Sequence, residues 1–129
     1  MGDNYFKNKK VVIIGASGHL GQAYTQAFFQ AGAHLFLLGR NIDKVAAFSK
    51  DIASNIPICS VDITNETSIK VAVSEVQKWS DNIDIVINAT GFDVRKSLLS
   101  HSEEEINQTM TINLIGAILV SKYFLPLLK

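Results

Sequence analysis

VVIIGASGHLG, residues 11–21, is the stretch whose reading decides the fold. Val11-Val12-Ile13-Ile14 is a branched apolar run of the length of a strand buried on both faces, and a glycine follows at once. Gly15, Gly18 and Gly21 space a turn that leads into Ala23, Ala27 and Phe28, the small and apolar positions of a helix laid on a sheet. After a helix stop at Ala31-Gly32, Ala33 to Leu38 supplies a second strand and completes a βαβ unit. Such a turn suits a pyrophosphate: backbone without Cβ obstruction comes close to the anion, and free N–H groups at a helix start face it. Ser17 and His19 would add polar contacts. Glycines between a strand and a helix also solve a purely steric problem, and their spacing alone leaves both readings open.

Working outward, Arg40 follows Leu35 to Gly39 at the carboxyl end of the second strand. In a dinucleotide fold this place faces the adenosine ribose, where an acid favours free hydroxyls and an arginine pairs with a 2′-phosphate. The expected cofactor is therefore NADP(H), with NAD(H) as the alternative; a solvent-facing loop arginine is the plainer reading. Asn41 is expected to cap a helix carrying Val45, Phe48 and Ile52. Pro57 to Val61 reads as the third strand, with Cys59 in the core and Asp62 just beyond. Asp62 has two readings, an acceptor for the adenine amino group or a turn acid that organises its loop. Thr64 or Asn65 starts the next helix, which presents Ile69, Val73 and Val76 at helical spacing and ends near a packing residue, Trp79.

Ile83 to Ile87 reads as the fourth strand and feeds Asn88-Ala89-Thr90-Gly91. A parallel sheet sets that segment beside the glycine loop, so it either shapes the cofactor cleft or, through Asn88, only fastens a turn. Ser102 and Glu105 form a capping box for a long final helix that is apolar from Ile112 to Val120 and stops at Pro126. Asn113, set in that apolar stretch, requires hydrogen-bond partners, whether it braces the core or supports a site. The fold class expected is α/β: a Rossmann-like three-layer αβα arrangement with a parallel sheet that ends after about four βα units, residues 1–129 forming a partial dinucleotide-binding domain.

Composition narrows the function classes. A chain of 129 residues with 47% apolar content supports one core and is too short for two. Twelve basic against twelve acidic residues leave no global field directed at nucleic acid or a membrane. Lys7, Lys9 and Lys10 read as a solvated strand start rather than an RNA-binding surface. Cys59 stands alone, so no internal disulfide is expected and a cytoplasmic location is the simpler one. His19, His34 and His101 have no metal-ligand spacing, and His101 with Glu105 reads as a solvated face, so no metal is expected. The amino terminus lacks the apolar core of a signal peptide, Gly2 is not followed by a full myristoylation pattern, and no segment is expected to reach the roughly twenty apolar residues that span a bilayer.

Taken together, the glycine loop Gly15-Ala16-Ser17-Gly18-His19-Leu20-Gly21, Arg40, Asp62-Ile63-Thr64, Asn88-Ala89-Thr90-Gly91, and Asn113-Leu114-x-Gly116 followed by Leu125-Pro126 resemble the short-chain dehydrogenase/reductase family over nearly the whole chain. The resemblance implies that the glycine loop holds the cofactor pyrophosphate, that Asp62 contacts adenine, and that residues 88–91 stabilise the sheet beside the cofactor. It assigns Asn113 to the family's active-site asparagine, which helps hold a water and a lysine in a proton relay. Two departures stand out: the middle glycine lies one position earlier than in the family's commoner loop, and Thr90 stands where a glycine usually follows the alanine. The catalytic serine and Tyr-x-x-x-Lys pair have no counterpart; Leu127 stands four residues after Tyr123, where a lysine is required. The implied activity is hydride transfer between nicotinamide and a carbonyl or alcohol substrate, represented by its cofactor-binding half. A noncatalytic dinucleotide-binding or redox-sensing module is the alternative. An open sheet edge is expected, and with it self-association or completion by a carboxyl-terminal half.

Overall fold

The computed structural model describes residues 5–129; Gly2, and the myristoylation reading with it, lies outside them. Strands β1 (Lys10–Ile14), β2 (His34–Gly39), β3 (Ile58–Ser60) and β4 (Ile85–Asn88) form one parallel sheet in the order β3-β2-β1-β4. The helices are α1 (His19–Gln30), α2 (Ile42–Ile52), α3 (Glu66–Trp79), α4 (Glu103–Met110) and α5 (Ala117–Phe124). Strand periodicity assigns the layers. Val11 and Ile13 meet Leu35, Leu37 and Val45 of α2 on one face, while Val12 and Ile14 meet Phe36, Leu38, Ile69 of α3 and Phe124 of α5 on the other. All four residues of the Val11–Ile14 run are fully buried, each removal from water contributing about 1.5–3 kcal/mol. This is the expected αβα sandwich.

The chain builds outward from β1 through β2 to β3, then returns to place β4 on β1's other side. The reversal makes a switch point between β1 and β4, where a doubly wound sheet opens a crevice at its carboxyl edge. Helix starts follow the sequence signals. Asn41 Oδ1 accepts from Lys44 N at 3.2 Å, and Asn65, rather than Thr64, caps α3 by accepting from Ser68 N at 3.0 Å. Ser102 and Glu105 complete their capping box at 3.1 and 3.0 Å.

Three boundaries differ from the sequence reading. β3 is shorter than Pro57–Val61, spanning Ile58–Ser60, although Pro57 O still accepts from Leu37 N. β4 begins at Ile85, because Ile83 bridges to Leu128 and Asp84 turns its carboxylate onto Lys10 N at 2.8 Å. The final helix is not uniform: α4 and α5 are joined through a π-helical turn, Thr111–Gly116. Gly116 allows this widened helix to lie on the loop after β3, where a Cβ would stand 2.7 Å from Ile63 Cδ1.

The continuous helix Glu103–Leu127 also corrects the expectation about spans: it is 25 residues long and contains an 18-residue stretch of mean hydropathy 1.5, long and apolar enough to cross a bilayer by length and composition. One side of it is already engaged, since Val120, Phe124 and Leu127 are buried in the core beneath the sheet. Its other side presents Leu114, Ile118 and Leu125 at 48%, 57% and 66% exposure, beside β4 at the sheet's edge.

Candidate functional site

The carboxyl ends of all four strands converge on a cleft of about 730 Å³. β1 delivers Gly15, Ser17 and Gly18; β2 delivers Arg40 and Asn41; the loop after β3 delivers Asp62 and Ile63; β4 delivers Ala89, Thr90 and Gly91. Residues far apart in sequence thus meet because parallel strands end on one edge.

The three loop glycines meet three different demands. Gly15 turns the chain at φ +79°, with Leu38 O accepting from its N–H at 2.8 Å, and a Cβ there would lie 3.0 Å from the Ala89 carbonyl carbon. Gly21 is a packing position: an added Cβ would sit 2.0 Å from Gly15 O, so α1 could not approach β1. Gly18 is free of that demand, its nearest neighbour being Gly15 O at 3.5 Å. It caps α1 without a side-chain hydrogen bond, and the first turn contains no acid. A helix start left in this state, on the wall of a cleft, is suited to an anion. Bare backbone at Gly18 and a volume within the range of ligand clefts fit a dinucleotide's pyrophosphate.

His19 and Leu20 open α1 on its exposed surface, and neither they nor Gly21 line the cleft. Ser17 does, and its main-chain carbonyl accepts from Gln22 Nε2 at 2.8 Å. Arg40 is exposed at the cleft mouth.

Asp62 performs the turn role. Its Oδ1 accepts from Thr64 Oγ1 at 2.6 Å and Thr64 N at 2.9 Å, and its own N–H donates to Ser68 Oγ at 2.9 Å. The Thr64 hydroxyl and amide hold the Asp62 carboxyl below its ordinary range, and the Arg40 charge adds in the same direction. Its second oxygen, Oδ2, accepts no hydrogen bond among the described residues. Asn88 likewise fastens its turn, Oδ1 accepting from Thr90 N at 3.2 Å and from the Thr90 hydroxyl, while Ala89 N reaches Ile14 O at 2.8 Å. The threonine that departs from the family's pattern thereby adds to the turn a hydroxyl bond that a glycine could not make. Asn88 itself is exposed and does not line the cleft.

Asn113 lies in the π turn and is exposed rather than buried among the helix's apolar residues. Both of its polar side-chain atoms nonetheless have a partner: Oδ1 accepts from Phe92 N at 2.8 Å, and Nδ2 donates to Phe92 O at 2.7 Å. The carboxamide pairs with that residue's backbone as a neighbouring strand would, fixing the chain next to Gly91 without lining the cleft. Tyr123 is elsewhere, its hydroxyl donating to Glu66 between α5 and α3.

Seven lining residues lay outside the site as read from sequence, Lys44 and Gly39 among them. Lys44 lines the cleft, and Gly39 forms part of its wall, where a Cβ would meet Val45 Cγ2 at 2.6 Å. Gly39's signal was available as a glycine at a strand end; Lys44 carried no signal beyond following a helix cap by three residues.

A family model for short chain dehydrogenase matches residues 9–129. The bovine dehydrogenase/reductase SDR family member 7B is 31% identical over 95% of this chain, which covers 40% of that protein. An uncharacterized oxidoreductase of Bacillus subtilis, YvrD, is 28% identical over 96% of the chain and 48% of its own length. Among solved structures, a Brucella melitensis short-chain dehydrogenase/reductase superposes with a TM-score of 0.91 at 26% identity, covering 98% of this chain and 55% of that one. The Pseudomonas aeruginosa RhlG/NADP active-site complex gives a TM-score of 0.89 at 20% identity, over 97% of this chain and 49% of the other, a likeness of fold. The chain thus spans about half the length of the proteins it matches.

Proposed function

The chain belongs to the short chain dehydrogenase family, and from that premise we propose that it is the cofactor-binding part of an NADP(H)-dependent oxidoreductase acting on a carbonyl or alcohol. The observation that carries the reading is Arg40. It stands at the cleft mouth, at the end of β2, where a ribose-binding acid would otherwise select the unphosphorylated cofactor. The Gly15–Gly21 turn would hold the pyrophosphate against the start of α1, Asp62 would offer Oδ2 to the adenine amino group, and Ala89-Thr90-Gly91 would form the wall beneath the nicotinamide side. When bound, the nicotinamide supplies or accepts the hydride. This chain's residues bind and orient it, and Asn113 holds the Phe92 backbone that follows Gly91.

Titration calorimetry of the purified chain with NADPH and NADH tests the reading. NADPH should bind more tightly, and Arg40→Ala should remove most of that preference, a loss of about 1.5–3 kcal/mol for a charged hydrogen-bonded contact. Equal affinities in the unmutated chain would falsify the cofactor assignment.

Tyr123 favours a second reading, binding without turnover by these residues alone. Its hydroxyl is engaged by Glu66 and it takes no part in the cleft lining. On this reading NADPH binds, and a broad aldehyde and ketone panel shows no oxidation of it. The exposed apolar side of Glu103–Leu127 and the edge position of β4 support completion of the catalytic set by further polypeptide, in the same chain or a second one.

A further inference from the structure

Arg40 is not the only cation at the adenosine end of the cleft. Lys44, on the first turn of α2, lines the same cleft as Arg40, with Asn41 between them in the chain. Its backbone position is fixed because Lys44 N donates to Asn41 Oδ1 at 3.2 Å, so a four-carbon stem carries the ammonium from a held root. Among the described residues, neither Arg40 nor Lys44 takes part in an ion pair.

The acids nearby do not balance both cations, although the Asp62 carboxylate acts on Arg40. Asp43, between the two cations in sequence, is exposed and does not line the cleft, and Asp62 spends Oδ1 on Thr64. The charged lining is therefore two cations and one carboxylate, with both cations on the segment that follows β2. A phosphate monoester carries about −1.5 to −2 charges at neutral pH, more than a single guanidinium balances.

We propose that Lys44 is a second specificity-determining residue, pairing with the 2′-phosphate of NADP(H) alongside Arg40; this rests on the NADP(H) reading above. The two cations divide the work by their chemistry. Arginine presents a planar fork that fixes the phosphate's orientation, whereas lysine adds a point charge whose contribution is screened by salt.

The test is calorimetric titration of the unmutated chain, Arg40→Ala, Lys44→Gln and Lys44→Arg with NADPH and NADH, at about 0.05 M and about 0.5 M salt. Lys44→Gln should weaken NADPH binding about three- to fivefold at low salt, the range of a partly exposed charge pair, and leave NADH unchanged. The loss should shrink at high salt, and Lys44→Arg should restore most of it. If the unmutated chain prefers NADPH and Arg40→Ala abolishes the preference while Lys44→Gln leaves it intact, the Lys44 proposal falls and the cofactor reading stands. Equal weakening of both nucleotides by Lys44→Gln would make Lys44 a general part of the cleft wall with no phosphate contact and overturn the proposal. No preference in the unmutated chain overturns both.

Discussion

β2 and β4 flank the same strand, run in the same direction and pair with β1 over nearly the same residues, yet they are finished differently. Leu35 to Leu38 of β2 are at most 4% exposed, whereas Ile85, Val86 and Ile87 of β4 are half-buried and Asn88 is open to solvent. Sequence does not explain the contrast, since both are branched or leucine-rich runs suited to a strand covered on two faces. The neighbours do. β3 pairs with the outer side of β2 and α2 packs over it, while β4 is the last strand on its side. The cleft lies at the switch point, lined from the ends of these four strands, while the flank beyond β4 is open.

The largest test of that contrast is a pair of substitutions on one helix. Phe124 is 1% exposed beneath the sheet and Ile118, six residues earlier, is 57% exposed. Phe124→Ala should cost about 3–5 kcal/mol in urea unfolding. Ile118→Gln should change stability by less than about 0.5 kcal/mol and reduce self-association. Comparable losses from both would mean that the outer side of the helix is already covered in solution, and sedimentation would then show by what.

Within the finished side, the glycine loop offers a second separation. Gly21→Ala drives a Cβ to 2.0 Å from Gly15 O, and since both partners are backbone, α1 must move; overpacking of this kind costs about 1–3 kcal/mol. Gly18→Ala meets nothing nearer than 3.5 Å, so the protein should keep its melting temperature and lose nucleotide affinity, because the new methyl stands on the cleft wall. If the affinity loss follows stability in both variants, Gly18 has no ligand role.

Asn113 connects the two regions, and its removal should have an intermediate effect. Asn113→Ala gives up two hydrogen bonds to Phe92, each worth about 0.5–1.5 kcal/mol net and less where water replaces them. The expected loss is about 1 kcal/mol, with faster hydrogen exchange at the Phe92 amide. Asn113→Asp keeps the acceptor for Phe92 N and loses the donor to Phe92 O, so it should protect that amide better than alanine does. Equal exchange in all three proteins would show that the Phe92 segment is held by something else.

What could be foreseen divides along the same line. The first βαβ unit, the Asn41 cap and the Ser102–Glu105 box were readable because each depends on residues within a few positions of one another. The π turn was not: an apolar run from Ile112 to Val120 has no polar side to show where the period widens, and the close approach of Gly116 to Ile63 joins residues far apart in sequence. The start of β4 was misplaced for a similar reason, since Asp84 leaves the strand to bind Lys10 N. At the site, the sequence grouped cleft-lining residues with supporting ones. Gly21, Asn88 and Asn113 stand close to the cleft and brace its walls, while Lys44, which lines it, has no motif around it.

The smallest expected effect concerns how the open side is held. The loop before α4 is tied to that helix by Glu105, whose Oε1 receives Lys96 Nζ at 2.8 Å and whose Oε2 receives Ser102 N at 3.0 Å. The Lys96 contact first, and the Ser102 amide second, hold the Glu105 carboxyl below its ordinary value. A depressed carboxyl favours the folded arrangement above its unfolded midpoint, and that contribution disappears as pH falls through the lower folded value. The loop should accordingly loosen only in acid, below the ordinary glutamate range, with no change between neutral and mildly basic pH. Lys96→Met removes the larger cause, so the Glu105 midpoint followed by carboxyl NMR should rise toward that of a free glutamate while the Ser102 contact keeps part of the depression. Because every partner is at the surface, salt should move the midpoint in the same direction. A midpoint indifferent to both Lys96→Met and salt would assign the depression to the capping box alone, and would leave the loop at 96–102 attached to the open side only through the start of its helix.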